Sequence, residues 1–182
     1  MLIDFDTIII FYVGLYTIVK IGRFVTGHKN SEMKLQVKIM RFIFGLYITV
    51  MLGLTIFPVE IPPMRMNGEF AAYLNFHFFS FVQEGWSLSM AKQVFGNILL
   101  FVPVYPLAVL SGMKTRRGYQ VLLGAVVFSL SIEVMQFVEN ITGLSGFFGR
   151  VTDVNDLFLN TLGGMIGYII VGWYHSYKVS RI

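Results

Sequence analysis

Apolar residues gather into five long runs, and polar residues separate these runs. An α-helix crosses a hydrocarbon core of about 30 Å with about 20 residues. Runs of about this length, charged only near an end or at single positions, occur at residues 5–25, 42–59, 93–113, 118–139 and 157–177. The pattern predicts an all-α fold: a polytopic membrane helix bundle of about five transmembrane helices, forming a single domain over residues 1–182.

Composition excludes several other classes of protein. The chain is 55% hydrophobic and 13% charged, whereas soluble domains carry about 25% charged residues. A mean hydropathy of +0.70 is too high for a disordered chain, and the lack of cysteine excludes a disulfide-rich secreted module. Nucleotide-binding, zinc-protease and nucleophile-elbow motifs do not occur, so no cofactor and no metal are expected.

Basic residues are distributed unevenly between the two sides of the predicted bundle. With five spans, one side holds eleven of the fourteen Lys and Arg residues. Because basic residues accumulate on the cytoplasmic side of short loops, we expect the N-terminus outside and the C-terminus in the cytoplasm. The net charge of +4 is then a topology signal, and no nucleic-acid partner is expected.

Three polar side chains inside the predicted spans reach a similar depth. At about 1.5 Å per residue, Asn97 lies about 6 Å inside the third span and Asn160 about 6 Å inside the fifth. Glu133 lies about 22 Å along the fourth span, or about 8 Å below its outer boundary. Polar groups inside a membrane cost free energy unless they have partners. This layer is therefore a candidate site.

The fourth and fifth spans each concentrate polar and small residues on one face. On the fifth span, Gly163 and Gly167 have the small-xxx-small spacing that lets helices approach closely, and Asn160 shares their face. On the fourth span, the residues at i, i+4, i+8 and i+11 are Ala125, Ser129, Glu133 and Gln136. Residues at this spacing share one side of a helix, so we expect both faces to point into the bundle.

A charged turn precedes the fifth span. Arg150 is followed by Asp153 and Asp156. If the helix extended back to Arg150, this residue would share a face with Asp153 and Asn160. Carboxylates at a helix N-terminus are also favoured by the helix macrodipole. The predicted binding residues of the layer and the turn are Asn97, Glu133, Gln136, Arg150, Asp153, Asp156 and Asn160.

Each of these residues also has a purely structural interpretation. Asn97 and Asn160 suit hydrogen bonds between helices, and Arg150 suits a surface ion pair of little net energy. Glu133 is harder to explain in this way, since a carboxylate at that depth needs a proton, a cation such as Arg150, or water.

Three motifs in order resemble the VanZ-like membrane protein family. They are residues 96–103 (GNILLFVP), 131–136 (SIEVMQ) and 149–164 (GRVTDVNDLFLNTLGG), with weaker matches at residues 54–58 (LTIFP) and at Asn75. The resemblance covers about residues 50–168 and adds Asn75 to the candidate binding residues. One departure is visible: Phe78-Phe79 stand where the family often has a Pro-Phe pair after this asparagine.

The resemblance implies a multi-pass protein of the bacterial cytoplasmic membrane. The founding member of the family lowers susceptibility to teicoplanin, a lipoglycopeptide antibiotic, without the enzymes that rewrite peptidoglycan precursors. The resemblance therefore implies a link to antibiotic susceptibility, and it does not identify a biochemical reaction.

Two functional hypotheses follow. Residues 59–92 include many aromatic side chains, which suits a segment at the membrane interface. The preferred hypothesis is a non-enzymatic protein whose outer polar layer lies beneath this segment and binds an amphiphile: a membrane lipid, a lipid-linked cell-wall precursor or a lipoglycopeptide. The alternative is an intramembrane enzyme acting on a lipid-linked precursor, with Glu133 as the catalytic acid or base and Asp153 or Asp156 holding water or a cation. An ion pathway through Glu133 is a third interpretation, weakened because spans two to five lack ionisable residues in their inner halves. The sequence leaves the oligomeric state open.

Overall fold

A computed structural model describes residues 2–25, 34–61, 63, 74–79, 87–145 and 152–179. The helices within these ranges are α1 (Phe5–Val25), α2 (Leu35–Ile56), α3 (Leu88–Phe101), α4 (Val104–Leu110), α5 (Gly118–Thr142) and α6 (Val154–Val179). Because α3 and α4 form one broken span, the bundle has five helices, of which four are long and apolar enough to cross a membrane. The predicted all-α membrane bundle is confirmed, while the orientation of its termini stays a prediction.

Local sequence signals define the ends of these helices. Ser87 caps α3 by accepting a hydrogen bond from the backbone N–H of Met90 at 3.2 Å, which satisfies a donor that the helix leaves free. The break between α3 and α4 coincides with Pro103 and Pro106, whose rings cannot donate the backbone hydrogen bonds of a continuous helix. Gly143 has a φ of +75°, a left-handed conformation that suits glycine and ends α5.

Helix α6 lies at the centre of the packing and contacts α3, α4 and α5. Helix α2 packs against α1, α4 and α5. Met51, Phe101 and Ile132 are almost completely buried and form the core between α2, α3 and α5. The third, fourth and fifth predicted spans are therefore neighbours, as a common polar layer requires.

The close helix approach predicted for Gly163 and Gly167 occurs within the chain. A Cβ added to Gly163 would collide with the carbonyl oxygen of Ile98, and one added to Gly167 would collide with that of Val102. Pro106 leaves the Val102 carbonyl without its usual helical donor, so the break in the span exposes the backbone that α6 packs against. These glycines therefore have an intramolecular packing role.

Two short strand pairs lie at one end of the bundle, named here the strand end. Strand β1 (Leu2–Ile3) pairs antiparallel with β2 (Val59–Glu60), and β3 (Leu74–Asn75) pairs parallel with β4 (Thr152–Asp153). Since β1 precedes α1 and β2 follows α2, these two helices run antiparallel. Residues 111–117, between α4 and α5, mark the opposite end, named here the basic end.

Candidate functional site

Four helices surround a cavity of about 490 Å³ at the strand end, named here the strand-end cavity. The last turns of α2, the middle and last turns of α3, the strand-end half of α5, and β4 with the first turn of α6 contribute to its wall. Its lining combines apolar and polar side chains: Leu54, Thr55, Gln93, Gly96, Asn97, Leu100, Gln136, Asp153 and Asp156.

Asp153 is the most highly connected residue of this site. Its Oδ1 accepts a hydrogen bond from the backbone N–H of Asn155 at 2.8 Å, which caps the N-terminus of α6. Its Oδ2 accepts from the side-chain amide of Asn75 at 3.0 Å, and the two residues are also partners in the parallel strand pair. Only 7% of Asp153 is exposed. The residue thereby joins a strand, a loop and a helix N-terminus.

Asp156 lies in the first turn of α6 and faces α3 across the cavity. Gln93 donates from Nε2 to Oδ1 of Asp156 at 3.1 Å and, at 3.5 Å, to Oδ2 of Asp153. The positive end of the α6 dipole favours both carboxylates at this position. Asn97, one helical turn from Gln93, lines the same cavity, and its side-chain amide lies near the Asp156 carboxylate. The cavity wall thus presents two carboxylates with the amides of Gln93 and Asn97 beside them.

Glu133 supports the site from behind the cavity wall. It is 5% exposed, its Oε2 accepts the backbone N–H of Asp153 at 3.0 Å, and it is not among the cavity-lining residues. The partners expected for this carboxylate were a proton, a cation or water. A backbone amide is a different solution, which sequence reasoning missed because the partner lies 20 residues away and precedes the next helix.

Gln136 and Asn160 each form a hydrogen bond between two helices, at different depths in the bundle. Gln136 donates from Nε2 to the carbonyl oxygen of Thr55 at 2.8 Å, joining α5 to the last turn of α2, and it lines the cavity. Asn160 donates from Nδ2 to Oγ of Ser129 at 2.9 Å, is 2% exposed and lies outside the cavity lining. The Asn160 hydrogen bond to Ser129 matches the structural interpretation, its buried Oδ1 has no hydrogen-bond partner among the described residues, and Gln136 lines the cavity.

An aromatic loop covers the start of α6. Asn155 accepts the backbone N–H of Phe79 at 2.7 Å and donates to the carbonyl oxygen of His77 at 2.9 Å. Phe79 has a φ of +58°, a region that bulky residues rarely adopt, and its ring contacts Phe158 edge-on at 5.7 Å. Asn155 thus holds an exposed aromatic turn against the helix that carries Asp156.

Sequence reasoning did not select Gln93 or Asn155 as site residues. Gln93 stood at the predicted boundary of a span, where a polar residue is ordinary. Asn155 lies between Asp153 and Asp156, whose carboxylates are stronger candidates for binding than a single amide. The polar residues that span the start of α6, Thr152, Asp153, Asn155 and Asp156, were the signal for a side-chain-capped turn.

The sequence also predicted that Arg150 shares a helix face with Asp153 and Asn160 if α6 extends back to it. Arg150 lies outside the described residues. Helix α6 begins at Val154 and is preceded by strand β4, so the helix does not extend back to Arg150, and the face predicted on that condition does not form. The physical reason is that Asp153 serves as the N-cap of α6 and pairs with β3.

The charged side chains that line the strand-end cavity, within the part of the chain that the structure describes, are the carboxylates of Asp153 and Asp156. Among the described residues, no Lys, Arg or His forms an ion pair with Glu133, Asp153 or Asp156, and no group of three His, Asp or Glu side chains has the arrangement of a metal site. Two carboxylates in a partly apolar cavity favour a ligand group with a positive charge or several hydrogen-bond donors.

A sequence model of one family, VanZ/LLP1, matches residues 44–175. The match covers most of the chain. This chain belongs to the VanZ/LLP1 family. A comparison with curated proteins and a comparison with solved structures gave no significant match.

The VanZ/LLP1 region contains the whole candidate site. All residues that line the strand-end cavity lie within 44–175, whereas α1 lies outside the match. The resemblance predicted from three motifs over about residues 50–168 is confirmed and extended at both ends. Membership makes this a VanZ-like membrane protein, in a family associated with teicoplanin resistance.

Proposed function

We propose that this VanZ-like protein is a non-enzymatic component of the bacterial cytoplasmic membrane whose strand-end cavity binds an amphiphile. The ligand is a lipoglycopeptide or a lipid-linked cell-wall precursor, and its capture lowers susceptibility to lipoglycopeptide antibiotics. The observation that carries this proposal is a single cavity in which Leu54 and Leu100 lie beside Asp153 and Asp156. An acyl chain and a polar head group need such a combination.

The shape of the cavity supports entry from the lipid. Leu54 on α2 is 54% exposed, and Gly96 on α3 is exposed as well. Both residues line the cavity, so it opens at the surface of the bundle between apolar helices. An amphiphile held in a membrane can enter there sideways with its acyl chain in hydrocarbon throughout, while its polar groups meet Asn97 and the carboxylates.

The catalytic alternative receives less support from the geometry. A general acid or base must come within hydrogen-bond reach of the reacting atom. The Oε2 atom of Glu133 accepts a backbone N–H, and the residue is outside the cavity lining. Glu133 is better placed to position Asp153 than to transfer a proton to a ligand.

A cavity-filling variant tests the proposal. Gly96 has no atom within 4 Å of an added Cβ, so Gly96→Leu should fill the cavity with little disturbance of packing. We expect teicoplanin binding to the purified protein in nanodiscs to fall at least about tenfold, a loss of about 1.4 kcal/mol. Expression of the variant should leave bacteria as susceptible to teicoplanin as cells without the protein.

Matched controls separate binding from folding. Gly172→Leu changes another helical glycine with open space around it that lies outside the cavity lining, so its binding should equal wild type. Asp156→Asn should weaken binding while the melting temperature changes little, since Asn can still accept the Gln93 hydrogen bond.

A deacylated form of teicoplanin should bind more weakly than the acylated form. Unchanged binding and protection in folded Gly96→Leu and Asp156→Asn proteins would contradict the proposal.

A further inference from the structure

A second cavity lies toward the basic end of the bundle, named here the basic-end cavity. It has a volume of about 360 Å³, within the range of about 300 to 1,000 Å³ of small-molecule sites. Along α5, Ile132 of the buried core lies between Phe128, which lines the basic-end cavity, and Gln136, which lines the strand-end cavity. The two cavities are therefore separate sites.

The walls of the basic-end cavity are apolar except at one edge. Phe44, Phe101, Val121 and Phe128 supply hydrocarbon surface, and Gly124 leaves room beside them. The polar edge consists of Arg116 and Gln120, at the start of α5. A slot that is apolar along its length and cationic at its mouth has the chemistry of an acyl chain attached to an anionic head group.

Tyr105 fixes the position of Arg116 at the mouth. The backbone N–H of Arg116 donates to the Tyr105 hydroxyl at 2.9 Å, and Tyr105 is itself buried in the cavity wall. The Tyr105 ring packs against Tyr168 of α6 at 5.7 Å. The Arg116 side chain is exposed and forms no ion pair within the part of the chain that the structure describes, so its guanidinium is available to a ligand.

Among the residues that the structure describes, the charges around the mouth are of one sign. Lys114 and Arg117 are exposed on the same loop, and Arg41 of α2 donates from Nε to the Ser111 carbonyl oxygen at 2.9 Å. The acidic residues that the structure describes belong to the strand end or to the adjoining half of α5: Asp4, Asp6, Glu60, Glu133, Glu139, Asp153 and Asp156. Charge complementarity therefore selects an anionic occupant.

We propose that the basic-end cavity is a specific binding site for an anionic membrane phospholipid. One acyl chain lies along the slot between α4 and α5, and the phosphate meets the Arg116 guanidinium, with Gln120 as a further donor. A guanidinium offers a planar pair of N–H donors to phosphate oxygens. This site is distinct from the strand-end cavity and stands whether or not the proposed capture of an antibiotic is correct.

Lipid retention measured by native mass spectrometry tests this site. The protein is purified from nanodiscs containing equal amounts of phosphatidylglycerol and phosphatidylcholine with identical acyl chains. We expect wild type to retain one phosphatidylglycerol in preference to phosphatidylcholine. Arg116→Gln should reduce this preference about fivefold, the effect of one basic residue near an anionic lipid surface. Arg117→Gln, an identical change on the same loop outside the cavity lining, should reduce it less.

A second variant tests the acyl-chain slot independently of charge. An added Cβ at Gly124 meets no atom within 4 Å, so Gly124→Leu should fill the cavity and lower retention of both lipids, whereas Gly172→Leu should leave retention unchanged. Glycerol 3-phosphate, which has the phosphate without acyl chains, should not displace the retained lipid. Equal retention of both lipids by wild type, or wild-type retention by folded Arg116→Gln and Gly124→Leu proteins, would overturn the proposal. Displacement by glycerol 3-phosphate would overturn the acyl-chain assignment.

Discussion

At the scale of single residues, Glu133 shows how this bundle accommodates a carboxylate within a span. The carboxylate accepts the N–H of Asp153, which in turn accepts hydrogen bonds from Asn75 and Asn155. Each acceptor in this series of hydrogen bonds satisfies a donor that would otherwise be unpaired, and an unpaired buried donor costs about 1 to 3 kcal/mol. These hydrogen bonds thus order the turn on which Asp153 and Asp156 face the cavity.

Replacing Glu133 separates its acceptor role from its charge. In Glu133→Gln the amide oxygen can still accept the Asp153 N–H, so we expect the protein to fold and its melting temperature in detergent to stay close to wild type. In Glu133→Ala the N–H loses its partner, and the free energy of unfolding should fall by about 1 to 3 kcal/mol. Thermal unfolding followed by size-exclusion fluorescence measures both changes. A Gln variant as unstable as the Ala variant would show that the negative charge itself supports the fold.

The type and position of each residue determined whether its place in the candidate site could be predicted from the sequence. Glu133 and Gln136 were predictable because a polar side chain inside an apolar run has few explanations, and their shared buried face was predicted correctly. The long-range partners of Gln93 and Asn155 were not predictable, since polar residues are common where a span ends. Their roles depend on partners 60 or more residues away, and spacing within one helix carries no information on such partners.

At the scale of elements, the contact of α6 with the broken α3–α4 span positions the site. Gly163 and Gly167 allow α6 to approach the carbonyl oxygens of Ile98 and Val102. The same approach brings the first turn of α6, with Asp156, opposite Gln93 on α3. The small-xxx-small spacing predicted close packing from the sequence, but the partner helix could not be predicted, because the spacing describes one face only.

Adding a methyl group at this contact should separate the two helices. In Gly163→Ala the new Cβ collides with backbone, which cannot rotate away, so we expect a loss of about 1 to 3 kcal/mol in the free energy of unfolding. Binding at the strand-end cavity should weaken too, because Gln93 and Asp156 move apart. Gly172→Ala is the matched control, since its Cβ meets open space, and its unfolding should match wild type. An equal effect of both variants on thermal unfolding would argue against a contact specific to Gly163.

At the scale of the whole molecule, most of the described charges are sorted by end, and Lys92 at the strand end is an exception. The acidic residues that the structure describes lie at the strand end or in the adjoining half of α5, and Lys114, Arg116 and Arg117 lie at the basic end. The sequence predicted this division from alternating spans. At the strand end, β2 includes Glu60 and pairs with β1, and β4 includes Asp153 and pairs with β3. Positioning of basic residues on the cytoplasmic side would direct the strand-end cavity outward, toward an antibiotic or a wall precursor.

The chain contains no cysteine, so single cysteines can test this orientation directly. Asp4→Cys marks the strand end, while Lys34→Cys and Thr115→Cys mark the basic end, and all three positions are exposed. With an impermeant maleimide on intact cells, we expect labelling at position 4 and protection at positions 34 and 115, which should label after permeabilisation. The cysteine-free parent controls for background labelling. The reverse pattern would place the carboxylates in the cytoplasm, out of reach of an extracellular antibiotic, and would remove the basis for the proposed capture while leaving both cavities in the fold.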